Sequence, residues 1–351
     1  MAELSGIVQP LIAWYRGVRR PLPWREEPTP YHVWISEIML QQTRIEAVIP
    51  YYRRFLAAFP TVEALAAAEE AELLKLWEGL GYYSRARNLW RAAVQIVTDH
   101  GGRLPASVEA LRCLPGIGDY TAGAIASIAF GLPEPAVDGN VMRVVARLTA
   151  DGRDILSPAV RREVTAALRA IYPTAPAEAG IMTEALMELG ETVCIPNGAP
   201  HCDACPLSAL CRAMAEARTE EIPYRKPRAA RAVEERTVFL LLLGDRVGIF
   251  RRPLEGLLGG LWEFPSASGH LREEEARELL TDWGLSPVSL SAGPAATHIF
   301  THREWRMTSY LADLREEGGG ITFADREELR TVYAIPTAFR AFLSHLGIRK
   351  K

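Results

Sequence analysis

The run Leu114-Pro115-Gly116-Ile117-Gly118-Asp119-Tyr120-Thr121-Ala122 is the point from which the fold is read. Two glycines one residue apart permit a tight turn, and the Ala/Ile-rich stretch that follows to Phe130 carries helical spacing. Such a turn points backbone N–H groups outward at a helix N-terminus, where a phosphate is held without a basic side chain. Taken alone, the run equally describes an ordinary connection between two helices. Its surroundings sharpen it. Apolar positions recur at helical spacing in 31–47, 62–77, 85–99, 119–130, 141–149, 158–171 and 180–193, so residues 1–218 read as a helical domain. At its start, Leu4, Ile7, Val8, Leu11, Ile12 and Tyr15 form an amphipathic pattern that reads as a core-packing first helix.

The character changes after Arg218. Residues 219–233 carry Pro223, Pro227, Arg225, Lys226, Arg228 and Arg231 and read as a linker. Residues 234–351 read as a small α+β domain. Thr237–Leu243 and Arg246–Arg251 flank a Gly244-Asp245 turn and predict a hairpin. Further strands are expected near 260–264, 287–291, 296–302 and 304–313, with helices near 271–283 and 336–346. A length of 351 residues suits two domains, and 48% hydrophobic with 24% charged residues excludes disorder for most of the chain. No apolar run approaches the ~20 residues of a membrane helix. With 40 basic and 43 acidic side chains the net charge is −3, so the chain is no globally basic nucleic-acid binder and any such site is local. No secretory leader is visible, and the expected compartment is the cytoplasm, at the nucleoid if the host is bacterial.

Four of the five cysteines, Cys194, Cys202, Cys205 and Cys211, fall within 18 residues. That crowding indicates a metal centre rather than a disulfide framework. Thiolates select zinc or an iron–sulfur cluster, and the single CxxC with uneven 7-2-5 gaps suits the larger cluster better. Cysteines so arranged after a helical domain resemble the 4Fe–4S loop of the endonuclease III-like DNA glycosylases, with one residue more in the first gap. The 114–122 run resembles the helix-hairpin-helix of the same family. The resemblance implies an all-α helix-hairpin-helix domain with an iron–sulfur loop, followed by an α+β Nudix-like domain. It also implies that Gly116 and Gly118 contact a DNA phosphate.

Tyr120 stands where the bifunctional glycosylase/lyases carry a Schiff-base Lys, and a phenol cannot form that adduct. The resemblance therefore points to the monofunctional adenine DNA glycosylases of the MutY type. Excision of a base needs an acid to protonate the leaving group and an anion to stabilise the cationic sugar. Glu37, amid Trp34, Ile35, Ile38 and Met39, is expected to be desolvated and to hold its proton. Residues 36–43, SEIMLQQT, resemble the family's active-site helix and imply that Glu37 is the acid. Asp138 lies just ahead of a helix, where an N-cap is the common role. Residues 137–141, VDGNV, resemble the segment whose Asp stabilises the oxocarbenium ion or attacks the sugar carbon covalently. Asn140 matches an Asn that positions water or sugar, and Tyr120 is expected to assist Asp138.

By the same resemblance Leu22, Trp24, Arg25 and Glu184 belong to the adenine pocket, while Gln42 and Tyr82 fill the space left by the flipped base. Arg85, Arg87, Arg91, Arg143 and Arg147 are candidate backbone contacts. The second domain is similar to a Nudix hydrolase, but Thr281 and Asp282 stand where two Glu should bind metal, and Gly269 replaces the upstream Glu. The resemblance thus implies recognition rather than pyrophosphate hydrolysis. His298, Phe300, Thr301 and His302 resemble the H-x-F-S-H loop that reads 8-oxoguanine opposite adenine, with Thr301 for the usual Ser. The function implied is excision of adenine mispaired with 8-oxoguanine or guanine in double-stranded DNA, by a monomer with no membrane partner. The competing readings are a bifunctional endonuclease III-like glycosylase/AP lyase, a module that sanitises oxidised nucleotides and a non-catalytic scanning protein.

Overall fold

The computed structural model describes residues 4–227 and 230–348, so Arg228 of the expected linker lies outside the described residues. The chain divides into two compact units. The first comprises the described residues of Met1–Ala67 and Asn88–Pro227, the second those of Ala68–Arg87 and Arg228–Lys351. The 68–87 segment, which sequence places in the helical domain, groups with the second unit. Among the described residues no helix is long and apolar enough to cross a membrane.

The first unit is helical. Its core is built by one buried stripe from each of several helices, with Leu11 and Tyr15, Val141, Val145 and Leu148, and Met182, Leu186 and Leu189 in one cluster. The helix Gly139–Thr149 is buried almost throughout; Asp138 caps its start, accepting the Val141 N–H at 2.7 Å, and Ala150 ends it in the left-handed region. Three expected helices are interrupted. The 31–47 pattern splits into Pro30–Leu40 and Ile45–Ala58, with Gln42 between them at φ +56°. The 62–77 pattern splits into Val62–Ala66 and Glu70–Leu76. The helix after the hairpin, Asp119–Ala124, widens into a π-turn over Ile125–Ala129. There the Ser127 hydroxyl donates to the Gly123 carbonyl at 2.7 Å and lies 2.7 Å from Thr183 Oγ1. Apolar periodicity is blind to such breaks because the apolar spacing continues on both sides of them.

The second unit carries a mixed sheet of β1 (Ala232–Leu243), β2 (Arg246–Arg251), β3 (Trp262–Glu263), β4 (Ser266–Ser268), β5 (Pro287–Ala292), β6 (Ala296–Ile299), β7 (Arg303–Leu314) and β8 (Thr322–Ala324). The path runs β3-β2-β1-β7-β5, with β4 on β1, β6 on β7 and β8 on β2. β1 and β2 form the expected hairpin, pairing Leu242 with Val247 and Leu243 with Arg246. β1 and β7 run parallel, from Ala232 opposite Arg303 to Leu242 opposite Asp313. Alternate β1 side chains serve two cores. Val238 and Leu240 meet Leu329, Phe339 and Phe342 on one face. Phe239 and Leu241 meet Ala276 and Leu280 of the helix Glu273–Asp282 on the other. The expected strand 296–302 stops at Ile299, because the Phe300 N–H closes a turn on the Arg303 carbonyl at 2.8 Å. That turn presents residues 300–302 as a loop tip between paired strands.

Candidate active site

In the first unit Leu22, Trp24, Arg25, Glu37, Gln42, Tyr120, Asp138, Asn140 and Glu184 line a single cleft of about 410 Å³. Glu37 projects from the apolar helix Pro30–Leu40 and is only 5% exposed. Burial pushes its carboxyl up to about 7, reinforced by the charges of Asp138 and Glu184 and opposed by a hydrogen bond from Tyr120 and the charge of Arg25. The Tyr120 hydroxyl donates to Glu37 Oε2 at 2.6 Å and touches Met187 Sδ at 3.7 Å. Sequence pairs this phenol with Asp138; its hydrogen bond instead goes to Glu37. Burial and both carboxylates hold the phenol well above its ordinary value, so it stays a donor.

Asp138 joins cap and cleft. Burial pushes its carboxyl upward, while the N–H groups of Val141 and Asn140 and the charges of Arg143 and Arg161 pull it back. Asn140 is oriented by its Oδ1, which accepts from Arg143 Nη2 at 2.8 Å. Trp24 stacks edge-on against Tyr52 with centroids 5.5 Å apart, which gives the cleft a stiff aromatic wall. Glu184 accepts from the Tyr15 hydroxyl at 2.8 Å and lies 3.5 Å from Arg25 Nε.

Sequence reasoning missed Glu188, which binds Arg25 Nη2 at 2.8 Å and also pairs with Arg20. The signal was there: Glu184 and Glu188 stand four apart on the helix Pro176–Thr192 and so share a face. The arginines expected on DNA are mostly committed elsewhere. Arg143 and Arg147 are buried; Arg143 Nε donates to the Cys194 carbonyl at 2.7 Å, and Arg147 Nη1 to the Ile195 carbonyl at 3.0 Å. Arg85 is buried too and donates to the Leu80 and Gly81 carbonyls, Arg87 pairs with Glu70 at 2.6 Å, and Arg91 bonds Asn88 Oδ1 at 2.5 Å.

The hairpin has its backbone exposed at Gly116 and Gly118. Gly116 sits at φ +79°, and a Cβ there would fall 2.7 Å from Asn88 Cβ, so only glycine fits. Gly118 is extended and a Cβ there would meet nothing within 4 Å.

Cys194, Cys202, Cys205 and Cys211 line one small cavity with Arg147, whose Nη1 donates to Cys194 Sγ at 3.3 Å. Burial and mutual repulsion raise the thiols of Cys202 and Cys211, and Cys205 reaches about 11. A cation among them would draw these thiols to the ionised form that ligates metal. Among the described residues no three His, Cys, Asp or Glu side chains converge on a single-ion site. Four thiols around one cavity are the donor set that soft metal centres take.

In the second unit the loop residues form a stack. His298 meets Phe300 at 4.5 Å, and Phe300 meets Trp305 at 4.9 Å, both edge to face. Tyr82 belongs to this unit, where its hydroxyl lies 2.5 Å from Thr301 Oγ1, and His302 is exposed.

Residues 35–170 match the model of the HhH-GPD superfamily of base excision DNA repair proteins, and residues 237–345 match that of the NUDIX domain. The helical part is similar to the structure of a thermostable thymine-DNA glycosylase, with a TM-score of 0.53 and 27% identity over 60% of this chain and 96% of that one. A non-covalent endonuclease III–DNA complex gives a TM-score of 0.51 and 26% identity over 63% of this chain and 100% of that one. Fold and site together define a helix-hairpin-helix DNA glycosylase with a C-terminal Nudix domain. The adenine DNA glycosylase of Homo sapiens is 36% identical over 97% of this chain and 74% of its own length. That of Rattus norvegicus is 33% identical over 98% and 79%. The chain belongs to the adenine DNA glycosylase family, enzymes of base excision repair that hydrolyse N-glycosidic bonds.

Proposed function

We propose that the cleft excises adenine paired with 8-oxoguanine or guanine and leaves the abasic strand uncut. The observation that carries this reading is a buried Glu37, pushed up to about 7 and held by the Tyr120 hydroxyl in the cleft that also contains Asp138. A carboxyl with that affinity keeps its proton until a strong acceptor arrives, which suits it to protonate the ring nitrogen of a departing adenine. Asp138, supplied with backbone N–H groups and arginine charge, serves as the anion beside the oxocarbenium-like sugar. Tyr120 orients Glu37, and with no amine at that position no Schiff base forms. Glu37, once deprotonated, accepts a proton from the attacking water that Asn140 helps to place. Leu22 and Trp24 supply the apolar slot for the flipped base, and Arg25 and Glu184 its polar edge. Gln42 fills the vacated stack, while the Gly116–Gly118 turn takes a backbone phosphate.

His298, Phe300, Thr301 and His302 read the opposite base. Cys194, Cys202, Cys205 and Cys211 would hold a 4Fe–4S cluster, whose thiolate bonds cross-link the loop 194–211. The protein acts as a monomer in the cytoplasm, on the nucleoid in a bacterial host. The recognition reading is tested by single-turnover rates on 8-oxoguanine·A and G·A duplexes. F300A with H302A is expected to erase the preference for 8-oxoguanine; an unchanged rate ratio rejects it.

A further inference from the structure

A second cavity of about 500 Å³ flanks the hairpin in the first unit, between Asp119 and the start of the helix Pro158–Arg169. Tyr120 lines both this cavity and the adenine cleft, so the two share one side chain as a wall. Four arginines face the cavity, Arg112, Arg161, Arg162 and Arg169, against two carboxylates, Asp119 and Glu134. Two of the arginines are neutralised locally: Arg112 pairs with Asp119 at 2.5 Å, and Arg169 pairs with Glu134. The first of these pairs also offsets the charge of Asp119, a carboxylate at the hairpin that would otherwise repel an anion.

Arg161 and Arg162 remain. Arg161 Nη1 donates to the Val137 carbonyl at 2.6 Å, which takes one of its five donors and fixes the guanidinium beside the residue preceding Asp138. Arg162 is exposed and has no ion pair among the described residues. Both occupy the first turn and a half of a 12-residue helix, whose N-terminal dipole adds to their charge. In a chain of net charge −3, this is a concave, locally cationic site one residue away from the cleft.

We propose that this cavity seats a backbone phosphate of the adenine-bearing DNA strand, next to the nucleotide held in the cleft, with Arg162 as its principal contact and Arg161 as its fixed wall. This rests on the cleft being the adenine site. A phosphate contact positions the strand and reads no sequence. The test is equilibrium binding of the full-length protein to an 8-oxoguanine·A duplex and to an undamaged duplex, between about 50 and 200 mM salt.

For R162Q the slope of log affinity against log salt is expected to fall by about 0.9, so that the variant loses roughly 3.5-fold less affinity than the parent across that range. The affinity loss at low salt should be the same for both duplexes, R162K should restore the slope, and the melting temperature should not change. An unchanged slope overturns the proposal, as does a loss confined to the lesion duplex. So does a melting temperature raised by inorganic phosphate but not chloride, with no effect of R162Q on DNA, which would mark a free-phosphate site. The slope is read without catalysis, so a parent protein that binds but releases no adenine would fault the cleft reading and leave this measurement intact.

Discussion

Replacing Glu37 by Gln separates the cost of a buried acid from its use. Folding raises this carboxyl from the ordinary range to about 7, mainly by burial. Between about pH 4.5 and 7 the folded protein therefore holds a proton that the unfolded chain has released, and stability falls as pH rises through that window. At 1.36 kcal/mol per pH unit the loss amounts to roughly 3 kcal/mol by pH 8. Gln has the shape of the protonated acid and still accepts the Tyr120 hydroxyl, so E37Q escapes the loss. Urea unfolding of both proteins at pH 5 and pH 8 is expected to show a small difference at pH 5. At pH 8 E37Q should be more stable by up to about 3 kcal/mol, although it no longer releases adenine. A difference that does not change with pH, or an E37Q less stable at both values, would refute the buried, proton-holding Glu37.

The hydrogen bond from Tyr120 lowers Glu37, so Y120F should move the alkaline limb of the pH–rate profile to higher pH; a shift downward or none would contradict the pairing. D138N keeps an N-cap of equal quality, so its melting temperature should barely move while single-turnover release drops by ~10²–10⁴-fold. G116A forces a side chain into φ +79° and onto Asn88 and should cost ~1–3 kcal/mol, whereas G118A should be near neutral; equal losses in thermal melts would refute the geometry of the hairpin. Metal analysis of purified protein should find about four irons with matching sulfide, lost together in C202S; one zinc per chain would contradict the cluster.

Much of this was visible in the residues themselves. Glu37 in an apolar helix forecast its desolvation, and Asp138 ahead of Gly139–Thr149 forecast the cap. What stayed hidden depends on partners distant in sequence. Nothing local to Arg143 or Arg147 says that they turn inward to the carbonyls of Cys194 and Ile195 rather than outward to phosphate. The parallel pairing of β1 with β7 is equally silent, since alternation shows that a strand has two faces but not which strand lies beside it. Tyr120 pairs with Glu37, a residue 83 positions away, so no local pattern around the phenol could announce the bond.

Monofunctional adenine excision is read out by single-turnover release of adenine from an 8-oxoguanine·A duplex, assayed with and without hot alkali. Rapid release with strand breaks only after alkali is the predicted result. Breaks without alkali, or no release by protein that binds the duplex, would contradict it.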